Sequence, residues 1–269
     1  MYTFGSLFAG IGGVDLGFER AGLECKWQVE IDDYATKVLE KHWPNVKRWR
    51  DVKTFPPEDK QDWNVDVIAG GFPCQDISTA GKGAGLNGER SGLFYEIIRL
   101  ARQLRPRAIV LENVSALLVR GMGDVLGELA EVGYDSEWHC LPAAGVGAPH
   151  RRDRVFIIAC KKNVADSSSE RQPRQRLHGG CFSQKKNQDG EANWFIDSRQ
   201  RKENNWNTEP NVGRVANGVP SRMDRLKCLG NAVVPQVAEV VAKILLDRLS
   251  NGIRPKHKLK PDWHVTSWR

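Results

Sequence analysis

The sequence lacks the cysteine spacings that close small disulfide frameworks or hold zinc. Its six cysteines are scattered along 269 residues, and no two of them form a C-x-x-C pair. This distribution argues against a disulfide scaffold and a metal site, and it favours a reducing compartment. The six are Cys25, Cys74, Cys140, Cys160, Cys181 and Cys228.

Long apolar runs and an amino-terminal secretion signal are also missing. No uninterrupted hydrophobic stretch reaches the roughly 20 residues that span a bilayer, and the first residues lack the order of a signal peptide. We therefore expect a soluble, cytoplasmic protein without a membrane partner. Acidic residues are outnumbered, with 33 Asp and Glu against 40 Lys and Arg, a net charge of +7. This excess favours a polyanionic partner without proving one.

Strand and helix patterns alternate along the first 160 residues. Such alternation predicts an α/β fold, in which a mostly parallel sheet is covered by helices on both faces. The predicted strands are Tyr2–Phe8, Cys25–Val29, Val46–Trp49, Arg107–Leu111, Ser136–Leu141, Arg154–Cys160 and a central strand that starts at Asp66, is broken at Gly70 and Gly71 and leads to Cys74. The predicted helices are Val14–Ala21, ended by Gly22, then Asp33–Lys41, Leu93–Leu104, Asp124–Val132 and, near the end of the chain, Ala232–Leu249.

A glycine-rich loop, Ala9–Gly13, lies between the first strand and the first helix. Glycines at such a turn let a nucleotide-like ligand approach the backbone, and Glu30 ends the next strand, where it can accept hydrogen bonds from ribose hydroxyls. Asp15 occupies the place of the third glycine of the dinucleotide fingerprint. This disfavours a pyrophosphate and leaves an adenosyl ligand without phosphates. A tight turn without a ligand is the alternative interpretation.

Cys74 follows an apolar strand that stops at Gly70 and Gly71. A cysteine at the carboxyl end of a parallel strand lies where open α/β sheets place ligands, so a nucleophilic role is a fair hypothesis. A buried structural thiol is the alternative, since Cys is among the most buried residue types.

Polar residues dominate from Lys161 to about Glu209, and the apolar periodicity of core elements is absent there. A disordered loop would have this composition. A loop-built surface that reads nucleic acid would have it too, and the interleaved basic and aromatic residues favour that interpretation. Beyond it, the basic segment Asn251–Arg269 is expected to be a loosely packed tail.

Taken in their order along the chain, five short segments resemble the motifs of the cytosine-5 DNA methyltransferases of the bacterial and phage type. Single tripeptides occur by chance, but their ordered succession does not. The matching segments are Phe8–Gly13, Gly71–Gln75, Glu112–Val114, His150–Arg154 and Gly230–Pro235. The resemblance implies a Rossmann-like, S-adenosylmethionine-dependent methyltransferase fold with a small loop-rich target-recognition region.

The resemblance also implies the chemistry. Cys74 would add to carbon 6 of cytosine, which turns the ring into an enamine that can accept a methyl group at carbon 5. Glu112 would contact or protonate ring nitrogen 3 and the exocyclic amine. Arg154 would hold the carbonyl oxygen of the base, with Arg152 supporting the same pocket. One position departs from the family, since His150 stands where glutamine is usual.

The implied cofactor is S-adenosylmethionine, and no metal is implied. Glu30 would bind its ribose, and Asp51 falls where the family contacts the adenine. The full set of implied cofactor-binding residues is Phe8, Gly10, Gly12, Glu30, Asp51, Pro73, Leu93, Asn231 and Val233.

A discontinuous catalytic domain is expected over residues 1–160 and 229–250, with a target-recognition region at 161–228 and a basic tail at 251–269. Because an enzyme must extrude a base from the duplex to reach it, the glycine-rich tract Ser78–Gly92 is suited to close over the flipped nucleotide. Its Lys82 and Arg90 would then meet phosphates. A plain flexible loop is the alternative.

The implied activity is DNA (cytosine-5-)-methylation of double-stranded DNA by a monomer. The alternatives are a tRNA cytosine-5 methyltransferase of the same fold and a DNA-binding relative that has lost activity. The complete set of implied catalytic residues speaks against the inactive relative. The sequence leaves open which DNA sequence is read, and whether a cognate restriction endonuclease acts as a separate protein.

Overall fold

The computed structural model describes residues 1–57, 63–73, 91–161 and 220–251. Within these ranges seven strands form one sheet in the order β3-β2-β1-β4-β5-β7-β6. The strands are β1 (Thr3–Leu7), β2 (Glu24–Val29), β3 (Lys47–Trp49), β4 (Val67–Gly71), β5 (Ala108–Val114), β6 (Tyr134–Leu141) and β7 (Arg154–Lys161).

The sheet is parallel from β3 to β5 and antiparallel at its other side. β1 pairs in parallel with β2 and β4, β2 with β3, and β4 with β5. β7 runs antiparallel to both β5 and β6. The prediction of a mostly parallel α/β sheet is confirmed. The central strands read as continuous apolar runs because both of their faces are buried.

Helices cover both faces of the sheet. They are α1 (Gly13–Arg20), α2 (Asp33–His42), α3 (Phe94–Leu104), α4 (Leu117–Arg120), α5 (Met122–Glu131), α6 (Arg222–Asn231) and α7 (Pro235–Asn251). On one face, α3 and α5 bury Ile97 and Leu129 in the same core cluster as Ile68 of β4. On the other face, Phe18 of α1 and Val241 of α7 share a cluster with the facing side chains of the sheet.

Glycine lets α7 lie directly against α1. A Cβ at Gly17 would overlap the side chain of Ala238 and the backbone of α7 near Pro235. Helices approach this closely only where one of them presents small residues. The carboxyl-terminal helix is thereby packed beside the glycine loop at the start of the chain.

Two of the observed helices, α4 and α6, lie where the sequence analysis predicts none. α6 has no buried residue, so it does not depend on the core-facing apolar side that hydrophobic periodicity is used to detect. The last helix begins at Pro235 rather than at Ala232. The residue before a proline is disfavoured from the helical conformation, while proline itself suits the first helical position.

The stretch Arg222–Ser250 is long and apolar enough to cross a membrane by length and composition alone. The residues 232–234 between α6 and α7 are not helical. In α7 the side chains of Val237, Val241 and Leu245 are fully buried within the protein. One side of α7 therefore packs on the core cluster, and 28% of the apolar 18-residue window is buried.

Candidate active site

The residues predicted to bind cofactor and base gather at the carboxyl ends of neighbouring parallel strands. Phe8 follows β1, Glu30 follows β2, and Pro73 lies two residues beyond β4. Glu112 lies in β5, two residues before its end. Because these strands are parallel neighbours, their ends meet at the same edge of the sheet, where open α/β sheets bind ligands.

Three residues in or next to the glycine loop have positive φ angles. Phe8, Gly10 and Gly12 have φ values of 55°, 57° and 82°. A side chain at Gly10 would meet nothing within 4 Å, whereas one at Gly12 would overlap the ring of Trp43. Gly10 therefore leaves open backbone for a ligand, while Gly12 is required by packing.

The last of the matching segments, Gly230–Pro235, here called the final motif, closes one side of this loop. A Cβ at Gly13 would overlap the carbonyl oxygen of Val233. Asn231, the other cofactor-binding position predicted in this motif, is the last residue of α6. The structure thus brings the carboxyl-terminal motif against the amino-terminal one, as the predicted cofactor pocket requires.

The Glu30 carboxylate is fixed by two backbone N–H groups. Gly10 donates to its Oε2 at 2.7 Å, and Asp32 donates to its Oε1 at 2.8 Å. A carboxylate oxygen has two lone-pair sites, so each oxygen can still accept a further hydrogen bond. Glu30 is only partly buried, and it can present these acceptors to hydroxyl groups.

The half-buried side chains of Phe8, Trp49 and Leu93 pack against one and the same core cluster. Trp49 ends β3, and its carbonyl accepts the N–H of Glu30 at 3.0 Å. Asp51 follows two residues later and caps a short 3₁₀ turn, because its side chain accepts from the N–H of Lys53 at 3.0 Å. Asp51 is therefore close in sequence to the strand end that neighbours Glu30.

Glu112 and Arg154 form an ion pair across two strands. In the antiparallel register Glu112 lies opposite Phe156, and Arg154 lies opposite Val114. Glu112 and Arg154 are therefore diagonal neighbours on the same face. Nε of Arg154 lies 2.9 Å from Oε1 of Glu112, and the two side chains are 19% and 13% exposed.

Burial raises the pKa of Glu112 to about 7, while the positive charges of Arg154 and Arg152 act in the opposite direction. A carboxyl group with this pKa exchanges its proton near neutral pH. Such a group is suited to general acid or base chemistry.

Two residues of the neighbouring motifs set the position of this carboxylate and of the β4 end. A Cβ at Gly71 would lie 2.8 Å from Oε2 of Glu112, so only glycine leaves the carboxylate its place. Asn113 is buried, and its Nδ2 donates to the carbonyl oxygen of Phe72 at 3.1 Å. Asn113 was not among the predicted site residues, although a polar residue inside an apolar strand is a signal that could have identified it.

Arg152 contacts the final motif. Its backbone has a φ of 39°, and its Nη2 donates to the carbonyls of Gly230 at 2.7 Å and Ala232 at 2.5 Å. Burial, followed by the nearby charge of Arg154, lowers the pKa of Arg152, and Glu112 raises it. Arg152 thus joins its own segment, His150–Arg154, to the turn after α6.

Several predicted features fall outside the described residues. They include the predicted nucleophile Cys74, the glycine-rich tract up to residue 90 with Lys82 and Arg90, the polar segment from residue 162 onward, and the tail from residue 252. Among the described residues, Cys25, Cys140, Cys160 and Cys228 form no disulfide.

The sequence profile of the C-5 cytosine-specific DNA methylases matches residues 2–214. The type II methyltransferase M.NgoBI of Neisseria gonorrhoeae is 36% identical over 168 residues, which are 61% of this chain and 52% of the relative. M.Eco47II of Escherichia coli is 38% identical over 177 residues, which are 62% of this chain and 41% of the relative. The chain thus spans about half the length of the curated relatives it matches.

A solved structure gives a similar result. A protein described as a DNA modification methyltransferase encoded within an E. coli prophage superimposes with a TM-score of 0.51 and 29% identity. The match covers 60% of this chain and 47% of that protein. With the profile match spanning most of the sequence, the chain belongs to the C-5 cytosine-specific DNA methylase family.

Proposed function

We propose that this chain is a DNA (cytosine-5-)-methyltransferase, which transfers a methyl group to carbon 5 of a flipped-out cytosine in duplex DNA. One observation carries the proposal. The largely buried ion pair of Glu112 and Arg154 joins the carboxyl end of β5 to the start of β7, and β5 is the strand next to β4, whose end leads through Pro73 to Cys74. Family membership supports the same reaction.

The cofactor of the proposed reaction is S-adenosylmethionine, which supplies an electrophilic methyl group when bound. The described residues fit such a ligand. Gly10 leaves its backbone open, Glu30 retains acceptor capacity for ribose hydroxyls, and Phe8 and Leu93 offer half-buried apolar surface. Asn231 and Val233 belong to the motif that borders the same loop. This assignment is the proposed cofactor site.

The thiolate of Cys74 is the proposed nucleophile. Carbon 5 of cytosine is a poor nucleophile, but a carbon–sulfur bond at carbon 6 makes the ring an enamine that can accept the methyl group. Afterwards the proton on carbon 5 leaves to a base, the electrons of that bond restore the 5,6 double bond, and the thiolate is expelled. Cys74 is thereby regenerated.

Glu112 and Arg154 are proposed to handle the charge that this addition creates. The Arg154 guanidinium already occupies Oε1 of Glu112, so Oε2, which lies beside Gly71, is the oxygen available to the base. With a pKa of about 7, Glu112 can give a proton to ring nitrogen 3 as Cys74 attacks. Arg154 would donate to the carbonyl oxygen of the ring, and Arg152 would hold this motif against the final one.

Target selection is assigned to residues 161–228, between the catalytic segments 1–160 and 229–250. This segment lies outside the described residues except for its ends, and α6 runs across its carboxyl boundary. The arginines Arg171, Arg174, Arg176, Arg199 and Arg201 are suited to read guanine edges. Exchanging the segment for that of another methyltransferase should change the methylated sites in bisulfite sequencing. Unchanged sites would place recognition elsewhere.

We further propose that the protein acts as a cytoplasmic monomer. Light scattering of the purified protein with and without duplex DNA would give its molar mass. One protein per duplex is expected, and a mass of two protein chains in the complex would contradict it.

Transfer of labelled methyl groups tests the activity itself. The protein is incubated with methyl-tritiated S-adenosylmethionine and either duplex DNA or tRNA, and the nucleosides are then analysed by mass spectrometry. For the wild type we expect label in 5-methyldeoxycytidine. For the Cys74→Ser variant we expect none. Label in tRNA alone would establish the RNA alternative. Cofactor binding without label in either would leave a binding protein of this fold.

A further inference from the structure

A continuous chain of hydrogen bonds runs from α6 to the glycine loop. Nζ of Lys227 donates to Oδ2 of Asp32 at 2.6 Å. The N–H of Asp32 donates to Glu30 at 2.8 Å, and the N–H of Gly10 donates to the other oxygen of Glu30 at 2.7 Å. Lys227 is 195 positions from Asp32 in sequence, and it lies in the segment assigned to target recognition.

Asp32 occupies the central place in this chain. Its Oδ1 caps α2 by accepting from the N–H groups of Tyr34 and Ala35, both at 3.0 Å. Its Oδ2 takes the ammonium group of Lys227. Both oxygens are therefore engaged, and this fixes the backbone that aims the Asp32 N–H at Glu30.

The carboxyl end of α6 is held on its other side as well. Arg152 donates to the carbonyls of Gly230 and Ala232, just beyond Lys227. The N–H of Ala232 also closes the helix by donating to Cys228 at 2.9 Å. A helix end bound from two sides places the Lys227 side chain reproducibly over Asp32.

The charge of Lys227 acts on both carboxylates. Asp32 and, more weakly, Glu30 raise the pKa of Lys227. In turn, the hydrogen bond from Lys227 is the main reason why the pKa of Asp32 is lowered. The Lys227 side chain is 62% exposed, and exposed pairs contribute little to stability. The effect of this pair is therefore expected locally, on Glu30, rather than on folding.

We propose that Lys227 is a positioning residue for the cofactor, which it serves through Asp32 and Glu30. α6 thereby makes the carboxyl-terminal end of the recognition segment a part of the cofactor site. This inference rests on the proposed binding of S-adenosylmethionine at Glu30.

Calorimetry with S-adenosylhomocysteine tests the proposal on the full chain. Lys227→Met should weaken binding by about two- to fivefold at low salt, the range expected for an exposed pair. The difference should shrink at high salt because the pair is screened. Lys227→Arg should restore the affinity. In steady-state assays KM for S-adenosylmethionine should rise while kcat stays unchanged, a division that a merely structural loss would not produce.

Asp32→Asn supplies the second half of a double-mutant cycle. Asparagine caps a helix as well as aspartate does, so α2 keeps its cap while the charge is lost. This variant should weaken binding as Lys227→Met does, and the double variant should lose no more than either single one. Lys26→Met is the matched control, because it breaks an equally short exposed pair with Glu24, at 2.6 Å and remote from the edge of the sheet that carries the site. It should leave the affinity unchanged.

Additive losses in the double variant, or wild-type affinity in Lys227→Met at low salt, would overturn the positioning role. In that case the wild type would still bind the ligand and the proposed function would stand. A wild type that binds no S-adenosylhomocysteine would instead overturn both.

Discussion

Replacing Gly71 by alanine tests whether the empty side-chain position beside Glu112 matters for catalysis. A Cβ at Gly71 would lie 2.8 Å from Oε2 of Glu112, and ordinary contacts begin near 3.4 Å, so one group must give way by about 0.6 Å. The carboxylate is the end of a side chain and can rotate. The backbone of Gly71 is held in β4, where Gly71 lies directly opposite Glu112 of β5. Glu112 is therefore the group that moves.

The magnitude follows from the precision that catalysis demands. Misplacing a catalytic group by about 1 Å costs ~10²-fold in rate. A displacement of roughly half that size predicts a loss on the order of tenfold in kcat. Folding should tolerate the change, because Gly71 has no positive φ and alanine restricts the unfolded chain by about 0.4–1 kcal/mol relative to glycine.

The assay compares kcat at saturating DNA and cofactor with the melting temperature and the S-adenosylhomocysteine affinity. We expect a lower kcat at unchanged affinity and an unchanged or slightly higher melting temperature. Gly70→Ala is the control, because its Cβ would face Leu7 at 3.3 Å on the opposite side of the strand. Wild-type kcat in Gly71→Ala, or an equal loss in Gly70→Ala, would refute the reasoning.

Three further substitutions test the cofactor site, the buried carboxyl group of α1 and the anchor of the β4 end. Glu30→Ala should weaken S-adenosylhomocysteine binding roughly ten- to hundredfold in calorimetry, because a charged acceptor is lost; unchanged affinity would contradict the ribose assignment. Burial raises the pKa of Asp15 from 3.8 to about 6, so the stability that it gives is present below pH 4 and is lost as pH rises through 6. In urea unfolding Asp15→Asn should lack this decline, and a variant with the wild-type pH profile would show that Asp15 is not its source. Asn113→Ala leaves the buried carbonyl of Phe72 without its donor, so it should cost about 1–3 kcal/mol in unfolding free energy and lower kcat as well; an unaltered kcat would argue against the anchoring role.

The sequence predicts the parallel part of the sheet well and its antiparallel side less well. Hydrophobicity alone ends the apolar run of β5 at Leu111, yet the strand continues to Val114. Its last three residues pair with Arg154–Phe156 of β7, which lie 40 to 44 positions further along the chain, so no local pattern reveals the pairing. The same pairing creates the Glu112–Arg154 contact, so the motifs indicate both residues while only the register brings them together.

Glycine roles and long-range polar contacts also require the structure. Gly10 and Gly12 read alike in the sequence, but one faces open space and the other the ring of Trp43. α6 has no buried residue, and its contact with Asp32 joins residues that lie far apart in the chain. Hydrophobic periodicity detects the buried face of a helix or strand. The loop glycines and the polar contact of α6 do not belong to such a face, so the pattern does not reveal them.

Covalent trapping of Cys74 by 5-fluorocytosine is the most direct test of the proposed reaction. Fluorine at carbon 5 leaves no proton to remove, so the thioether formed by Cys74 cannot be eliminated after methyl transfer. With cofactor and duplex DNA that contains 5-fluorocytosine at a methylated site, the wild type should form a denaturant-resistant adduct, and mass spectrometry should locate it at Cys74. Cys74→Ser should form none. An adduct in the serine variant, or no adduct in a wild type that methylates ordinary DNA, would contradict the account.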